Sequence, residues 1–365
     1  MKKLLIISVS AGSGHVRAAE AIEKTARLFY PKLEAKHIDL VDYTNLATRK
    51  AVFGAYAIMA SQWPELYGFL YRKADTPRGK KQFAQFAKII EKMNSEKLLL
   101  FVKKYQPDYV LCTHLISANT IVNFIEKNKI KLPIGTIITD YNTHELWISS
   151  KNQDYFVATP KIKWKLNQKG IPQENIFVSG IPVDPAFYEK KSIARLQQNY
   201  NIDKTRKTIL VLSGGHGTTK IGKIIKILFG LAEQINIIAI AGKNKKMENK
   251  LKKLKPPSQI KFYPLGWTDA IDEYMRLSDL IITKPGGITA TECITLGKPI
   301  IIIDPIPGQE EHNADYILSN GMGNVARNSA DLLYYAHHPP APKPQIDEVK
   351  NAAKIILDVI EKRLD

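Results

Sequence analysis

Short apolar runs alternating with stretches of helical spacing set the frame of this chain. The first run, Lys2 to Val9, is rich in Leu, Ile and Val, and the Gly-containing turn after it opens a helical pattern carried by Ala18, Ala19, Ile22 and Ala26. Similar runs over 33–40, 109–113, 134–140 and 155–158, separated by helical spacing, predict a parallel sheet. The pattern lapses after the turn-rich stretch 179–185. It restarts with a strand over 208–212 that leads into a second Gly-rich loop, and runs over 235–241, 260–263, 280–283 and 299–303 predict a second doubly wound unit. The expected fold class is therefore α/β, with two Rossmann-like domains facing a cleft. We place the first at 1–184, a linker at 185–205 and the second at 206–334. Tyr335 to Gln345, dense in proline, reads as a linker that cannot hold a helix. The helical pattern over 346–365 is expected to pack back on the first domain.

Composition agrees with two cores: 365 residues, 44% of them hydrophobic, exceed what one domain usually holds. No apolar run approaches the ~18 residues of a membrane span. A net charge of +18 favours anionic partners. Nucleic acid is not expected among them, because neither zinc spacing, an RNA-binding aromatic signature nor a helix-turn-helix pattern stands out. The two cysteines, Cys112 and Cys293, are far apart among apolar neighbours, and with no secretory signal they predict reduced buried thiols and a cytosolic protein. No metal is expected, since ligand spacing is missing throughout.

Much of the charge is local. Arg49 to Lys104 holds twelve basic and four acidic residues, interleaved with aromatics of which Trp63, Tyr67 and Tyr71 share one helical face. Such a stretch suits an anionic membrane surface, and a core of aromatics beneath solvated lysines is its plain alternative. Lys243 to Lys255, with seven lysines and one glutamate, reads as a solvated helix, with a contribution to membrane attraction as the alternative.

The chemistry sits in the loops, because ligands of open α/β sheets bind beyond the strand C-termini. Lys284-Pro285-Gly286-Gly287-Ile288-Thr289 follows a strand and opens a helix, a geometry that suits a diphosphate at the helix N-terminus. Glu292, one turn further on, is placed to accept ribose hydroxyls, against the plain reading of a solvated helix glutamate. The loop from Asp304 to Asn313 presents amides and carboxylates suited to sugar hydroxyls. Gly214-Gly215-His216-Gly217 is a second phosphate-type loop, for the donor phosphates or the interdomain cleft facing them, and Gly266-Trp267 stands where the edge of a uracil meets backbone groups or where Trp267 simply packs. In the first half, Gly12-Ser13-Gly14-His15 puts a histidine at the mouth of the first strand. The neighbouring helix N-terminus disfavours imidazolium, so His15 is expected neutral near pH 7, as a general base requires; an inert loop histidine is the alternative.

Lys284 to Glu292, followed by Pro307-Gly308-Gln309-Glu310 and Asn313, resembles the signature of glycosyltransferase family 28. Gly12 to Ile22 and Thr139-Asp140 with His144 and Trp147 resemble the N-terminal motifs of its diacylglycerol glycosyltransferases, which are monogalactosyldiacylglycerol synthases and processive diacylglycerol β-glucosyltransferases. The resemblance runs from residue 1 to about 327 and thins over 44–105. It implies the GT-B architecture and an inverting transfer of glucose or galactose from a UDP-hexose to diacylglycerol on the cytosolic membrane face, with UDP-sugar as substrate rather than cofactor. It implies that Gly286 and Gly287 meet the diphosphate and Glu292 the ribose, with Lys284, Ile288 and Thr289 also in the donor site. Gln309, Glu310 and Asn313 would serve the donor sugar, where a Gln-Glu pair favours a plain hexose over N-acetylglucosamine. His15 becomes the base, with Asp140 as alternative base or orienting partner, and Gly14, His144 and Trp147 face the acceptor. Asp184 stands where many members carry arginine. Other readings are an N-acetylglucosaminyltransferase on a lipid-linked cell-wall precursor, a nucleotide-sugar epimerase and a non-catalytic nucleotide-sugar-binding module.

Overall fold

The computed structural model describes residues 1–10, 12–44, 97–215, 217, 219, 221–345 and 350–365. The basic aromatic face of Trp63, Tyr67 and Tyr71 lies outside the described residues, as does His216. The chain divides into two compact units. Met1–Pro185 and Ile306–Gln309 with the C-terminal helix form the first, and Ala186–Pro305 with the chain from Glu310 up to that helix forms the second.

The first unit is built on β1 (Lys2–Ser8), β2 (Leu33–Asp39), β3 (Tyr109–Cys112), β4 (Ile134–Ile137), β5 (Asp154–Val157) and β6 (Ile176–Val178), all parallel and ordered β2-β1-β3-β4-β5-β6. Alternate residues of each strand serve opposite faces. Leu5, Ile7, Val110 and Cys112 pack with α2 (Leu115–Asn128) and a helical run over 97–105. Leu4, Ile6, Tyr109 and Leu111 pack with α1 (Ser13–Phe29) and with Ala353, Ile356, Leu357 and Ile360 of a helix at the end of the chain. Helices on both faces explain why the strands read as unbroken apolar runs. The short α3 (Pro160–Gln168), with Thr159 as its N-cap, follows β5.

The second unit opens with α4 (Ile193–Asn199) and continues through β7 (Lys207–Leu212), α5 (Ile221–Leu228), β8 (Ile235–Ile240), α6 (Lys245–Lys252), β9 (Ile260–Leu265), α7 (Ile271–Leu277) and β10 (Leu280–Thr283). It closes with α8 (Gly287–Thr295), β11 (Ile300–Ile302), α9 (Gln309–Ser319), β12 (Gly323–Val325) and α10 (Ser329–His337). Its six parallel strands are ordered β12-β11-β10-β7-β8-β9. The residues read as a linker over 185–205 carry α4 and are held to this unit: Lys191 pairs with Asp272 at 2.7 Å, and the buried Arg276 donates to the carbonyls of Ala186 and Phe187 at 3.0 and 2.9 Å. In the proline-rich stretch the helix persists to His337, because Asn328 caps α10 through Asp331 N–H at 2.8 Å and the first proline comes only at 339.

The C-terminal helix α11 (Ala352–Leu364) belongs to the core of the first unit. It packs on α1, and Arg363 donates to Asp154 at 2.9 Å, whose other carboxylate oxygen accepts from the buried Tyr109 hydroxyl at 2.9 Å. Ile356 is fully buried there. Truncation to alanine, Ile356→Ala, is expected to cost about 2–5 kcal/mol, the range for a large-to-small core change, read from chemical denaturation.

Candidate functional site

In the first sheet β1 is flanked by β2 and β3, so the strand order reverses between β1 and β3. At that point the loops leave in opposite directions and open a crevice at the strand C-termini. His15, on the first turn of α1, lies there. Its Nδ1 stands 2.8 Å from the Thr113 carbonyl and 3.0 Å from the Thr139 hydroxyl, and the Thr113 hydroxyl donates to the His15 carbonyl at 2.9 Å. A carbonyl oxygen only accepts, so Nδ1 carries the ring proton and Nε2 keeps its lone pair. Burial lowers the His15 pKa below the ordinary value of 6.5, while the Asp140 carboxylate and the Thr113 carbonyl act in the opposite sense.

A second histidine completes this cluster. The His114 ring meets His15 edge to face, centroids 4.5 Å apart, and both lie beside Trp147, at 6.2 Å from His15 and 6.4 Å from His114. His114 is the N-cap of α2 and its Nδ1 accepts from Ile116 N–H at 3.1 Å, so its tautomer is the reverse of that of His15. Burial and the neighbouring His15 push its pKa well down. Asp140, His144 and Trp147 are all buried, and His144 caps a short 3-10 turn by accepting from Leu146 N–H at 3.1 Å. Gly14 lies in the first turn of α1 beside His15.

The second sheet reverses its order between β7 and β10. The loop with Gly214, Gly215 and Gly217 leaves β7, and Lys284 to Gly286 leaves β10 into α8, so both Gly-rich loops stand at the switch point. Gly286 is the N-cap of α8 with no side-chain cap, which leaves the first-turn amides of Gly287, Ile288 and Thr289 without one. Glu292 is buried at 1% exposure, which removes the reading of a solvated helix glutamate. Glu310 lies in the first turn of α9 and Asn313 further along it, fully buried. Gln309 begins α9. Gly266 and Trp267 follow β9. Trp267 is 45% exposed, donates through Nε1 to Asp269 at 3.0 Å and lies under the Lys243 ammonium, 4.8 Å from its ring centroid, so it is no core residue. Gly242, at φ +62, comes so close to this cluster that a Cβ there would stand 2.5 Å from the Gly214 carbonyl. Among the described residues no group of three or more His, Cys, Asp or Glu side chains is arranged to hold a metal ion.

Sequence comparison agrees with these loops. Residues 15–183 match the family described as Monogalactosyldiacylglycerol (MGDG) synthase, and residues 208–331 match the Glycosyltransferase family 28 C-terminal domain. The Processive diacylglycerol beta-glucosyltransferase of Bacillus cereus is 30% identical over 340 residues, covering 91% of this chain and 84% of that protein. The protein of the same name from Bacillus subtilis is 28% identical over 371 residues, 99% of this chain and 95% of its own. The chain belongs to the diacylglycerol glycosyltransferase group of glycosyltransferase family 28. It is a glycosyltransferase.

Solved structures place this glycosyltransferase in the GT-B fold. MurG of Acinetobacter baumannii superposes with a TM-score of 0.61 at 14% identity, covering 99% of this chain and all of the other. The UDP-GlcNAc 2-epimerase of Neisseria meningitidis, bound to UDP-GlcNAc, gives 0.58 at 17% identity, covering 99% of this chain and 100% of the other.

Two residues of the glycosyltransferase that sequence reasoning passed over stand in these clusters. His114 was hidden because its strand-end position pairs it with a residue 99 positions earlier. Lys243 was read as part of a solvated helix, and the structure sets it on the turn before α6, against Trp267. Asp184 pairs with Lys24 of α1. Among the described residues no helix is long and apolar enough to cross a membrane.

The depressed pKa of His114 makes stability depend on pH. The unfolded chain takes up a proton below about 6.5 and the folded chain resists it, so stability is complete above that value and falls as pH drops below it. Replacement by asparagine, His114→Asn, keeps a capping acceptor and removes the titration. Denaturation between pH 7 and 5 is expected to show a shallower decline in the variant, by up to about 1.4 kcal/mol per pH unit.

Proposed function

We propose that this glycosyltransferase moves a hexose, glucose in the first instance, from its UDP derivative to the primary hydroxyl of diacylglycerol, with inversion. The products are a β-glycosyl diacylglycerol and UDP, formed at the cytosolic face of a membrane. The names of the relatives support the acceptor and the sugar. The observation that carries the reading is the fixed tautomer of His15, whose Nδ1 is held at 2.8 Å by the Thr113 carbonyl so that Nε2 is left to accept a proton.

In this reading the acceptor oxygen attacks the anomeric carbon as the bond from that carbon to the UDP oxygen breaks, and the hydroxyl proton passes to His15 Nε2. Burial keeps His15 neutral beforehand, and the negative charge of Asp140 stabilises the imidazolium that forms. Charge grows on the departing diphosphate at the same moment. The first-turn amides of α8 are preorganised donors for it and act without moving, and the Lys284 ammonium adds positive charge from the loop before the helix. Glu292 serves the ribose, Gln309 and Glu310 the sugar hydroxyls, the Gly214 loop the phosphate side, and Gly266 with Trp267 the uracil. His144 and Trp147 form the floor on which the acceptor rests.

UDP release from the purified protein, with UDP-glucose and UDP-galactose in parallel and with or without diacylglycerol in anionic vesicles, tests the reaction. Release is expected only with lipid and faster from UDP-glucose; UDP binding without lipid-dependent release would sink the proposal. His15→Ala should lower kcat by about 10²–10⁴ while leaving UDP affinity intact, and the acid limb of the wild-type profile should lie below pH 6.5.

A donor-side variant separates binding from folding. At Gly286 φ is −63 and a Cβ would meet nothing within 4 Å, so the fold accepts alanine. Gly286→Ala should melt with the wild type yet bind UDP more weakly by calorimetry, because the methyl occupies the space of the diphosphate. Undiminished UDP affinity would remove this loop from the donor site.

A further inference from the structure

Helix α3 has two unlike faces. Inward, Ile162 and Leu166 are buried in one cluster with Ile138, Trp147 and Ile148, the residues around the acceptor segment. Its lysines tie it to the same segment: Lys165 donates to Asn142 at 2.7 Å and Lys169 pairs with Glu145. Outward, Trp164 is 63% exposed, with Lys161 and Gln168 beside it on the exposed stripe. The indole N–H finds no acceptor among the described residues, and Lys161 and Lys163 form no ion pair among them. From 155 to 173 the chain carries four lysines and no acidic residue.

A single exposed aromatic is ordinary on a protein surface; what sets Trp164 apart is that it stands beside two lysines without ion pairs among the described residues, in a segment with no acidic residue. Tryptophan favours the headgroup layer of a bilayer, where its ring is apolar on one side and its N–H finds an acceptor on the other. Unpaired lysines around it add attraction to anionic lipid, each worth roughly a fivefold gain in affinity. We propose that the outer face of α3, Trp164 and Lys161 with the half-buried Lys163 on its flank, docks on an anionic lipid surface and so sets the acceptor segment behind it at the membrane. The inference rests on the reading that the acceptor is a membrane lipid, and it is independent of the basic stretch over 49–104.

The test uses the full chain with vesicles of phosphatidylcholine alone or mixed with phosphatidylglycerol, read by co-sedimentation. Wild type should bind the anionic vesicles. Trp164→Ala should weaken that binding about fivefold, and the double change Lys161→Glu with Lys163→Glu about 25-fold or more. All three residues are at the surface, so melting temperature and UDP affinity should stay unchanged, as should turnover of a short-chain diacylglycerol dispersed below its aggregation limit. Unaltered vesicle binding in both variants would overturn the proposal while leaving the transfer reaction standing. Vesicle binding that depends on Trp164, in a protein that transfers nothing to diacylglycerol, would uphold the surface and remove the acceptor reading. Equal loss of binding to a single-stranded oligonucleotide, with no preference for anionic vesicles over neutral ones, would overturn it in favour of a nucleic-acid surface.

Discussion

Parallel pairing of β1 with β3 is the constraint from which the acceptor side follows. Once β2 lies on one flank of β1 and β3 on the other, the loops after β1 and β3 must part, and the first turn of α1 faces the ends of β3 and β4. His15 can then be held by Thr113 from one strand and Thr139 from the next. The second sheet repeats the logic with β7 and β10, whose Gly-rich loops meet at its own reversal. The inner strands of both sheets are buried on two faces and are mostly apolar, so chemistry is left to the loops.

Two opposing effects decide the state of the acceptor cluster. Desolvation favours neutral imidazole at His15 and His114, and Asp140 favours charge at His15. Opposite tautomers let the two rings sit edge to face without competing for a proton. His114 gives its lone pair to the backbone of α2, and His15 gives its proton to the backbone of β3. Only one ring nitrogen of the pair, Nε2 of His15, is thereby left as an unpledged base.

The strands were legible in the sequence wherever burial on both faces imposed an apolar run, as at Ile6-Ile7 or Ile281-Ile282. The edge strands β6 and β12 were not: each is three residues long, and Gly323-Asn324-Val325 has no apolar run to read. A glycine is needed there because a Cβ at 323 would stand 2.5 Å from the Ile300 carbonyl. The stretch over 185–205 looked like a linker because its anchors are non-local. Lys191 meets Asp272 and Glu273, and Arg276 reaches back to two carbonyls, contacts that no local pattern announces. In the candidate site the Gly-rich loops, His15 and Glu292 carried spacing or motif signals. His114 and Lys243 acquired their neighbours only through packing.

The placement of α11 has a bearing on synthesis. Leu4 and Ile6 share a cluster with Ile356, Leu357 and Ile360, more than 340 residues later, so the core of the first unit stays open on the α1 face until the whole second unit has left the ribosome. Domains made of contiguous chain can fold as they emerge; here the second unit is free to do so, while the first must wait with apolar surface uncovered. Holding that surface against aggregation during the wait is a task for chaperones, and the order of folding runs opposite to the order of the sequence.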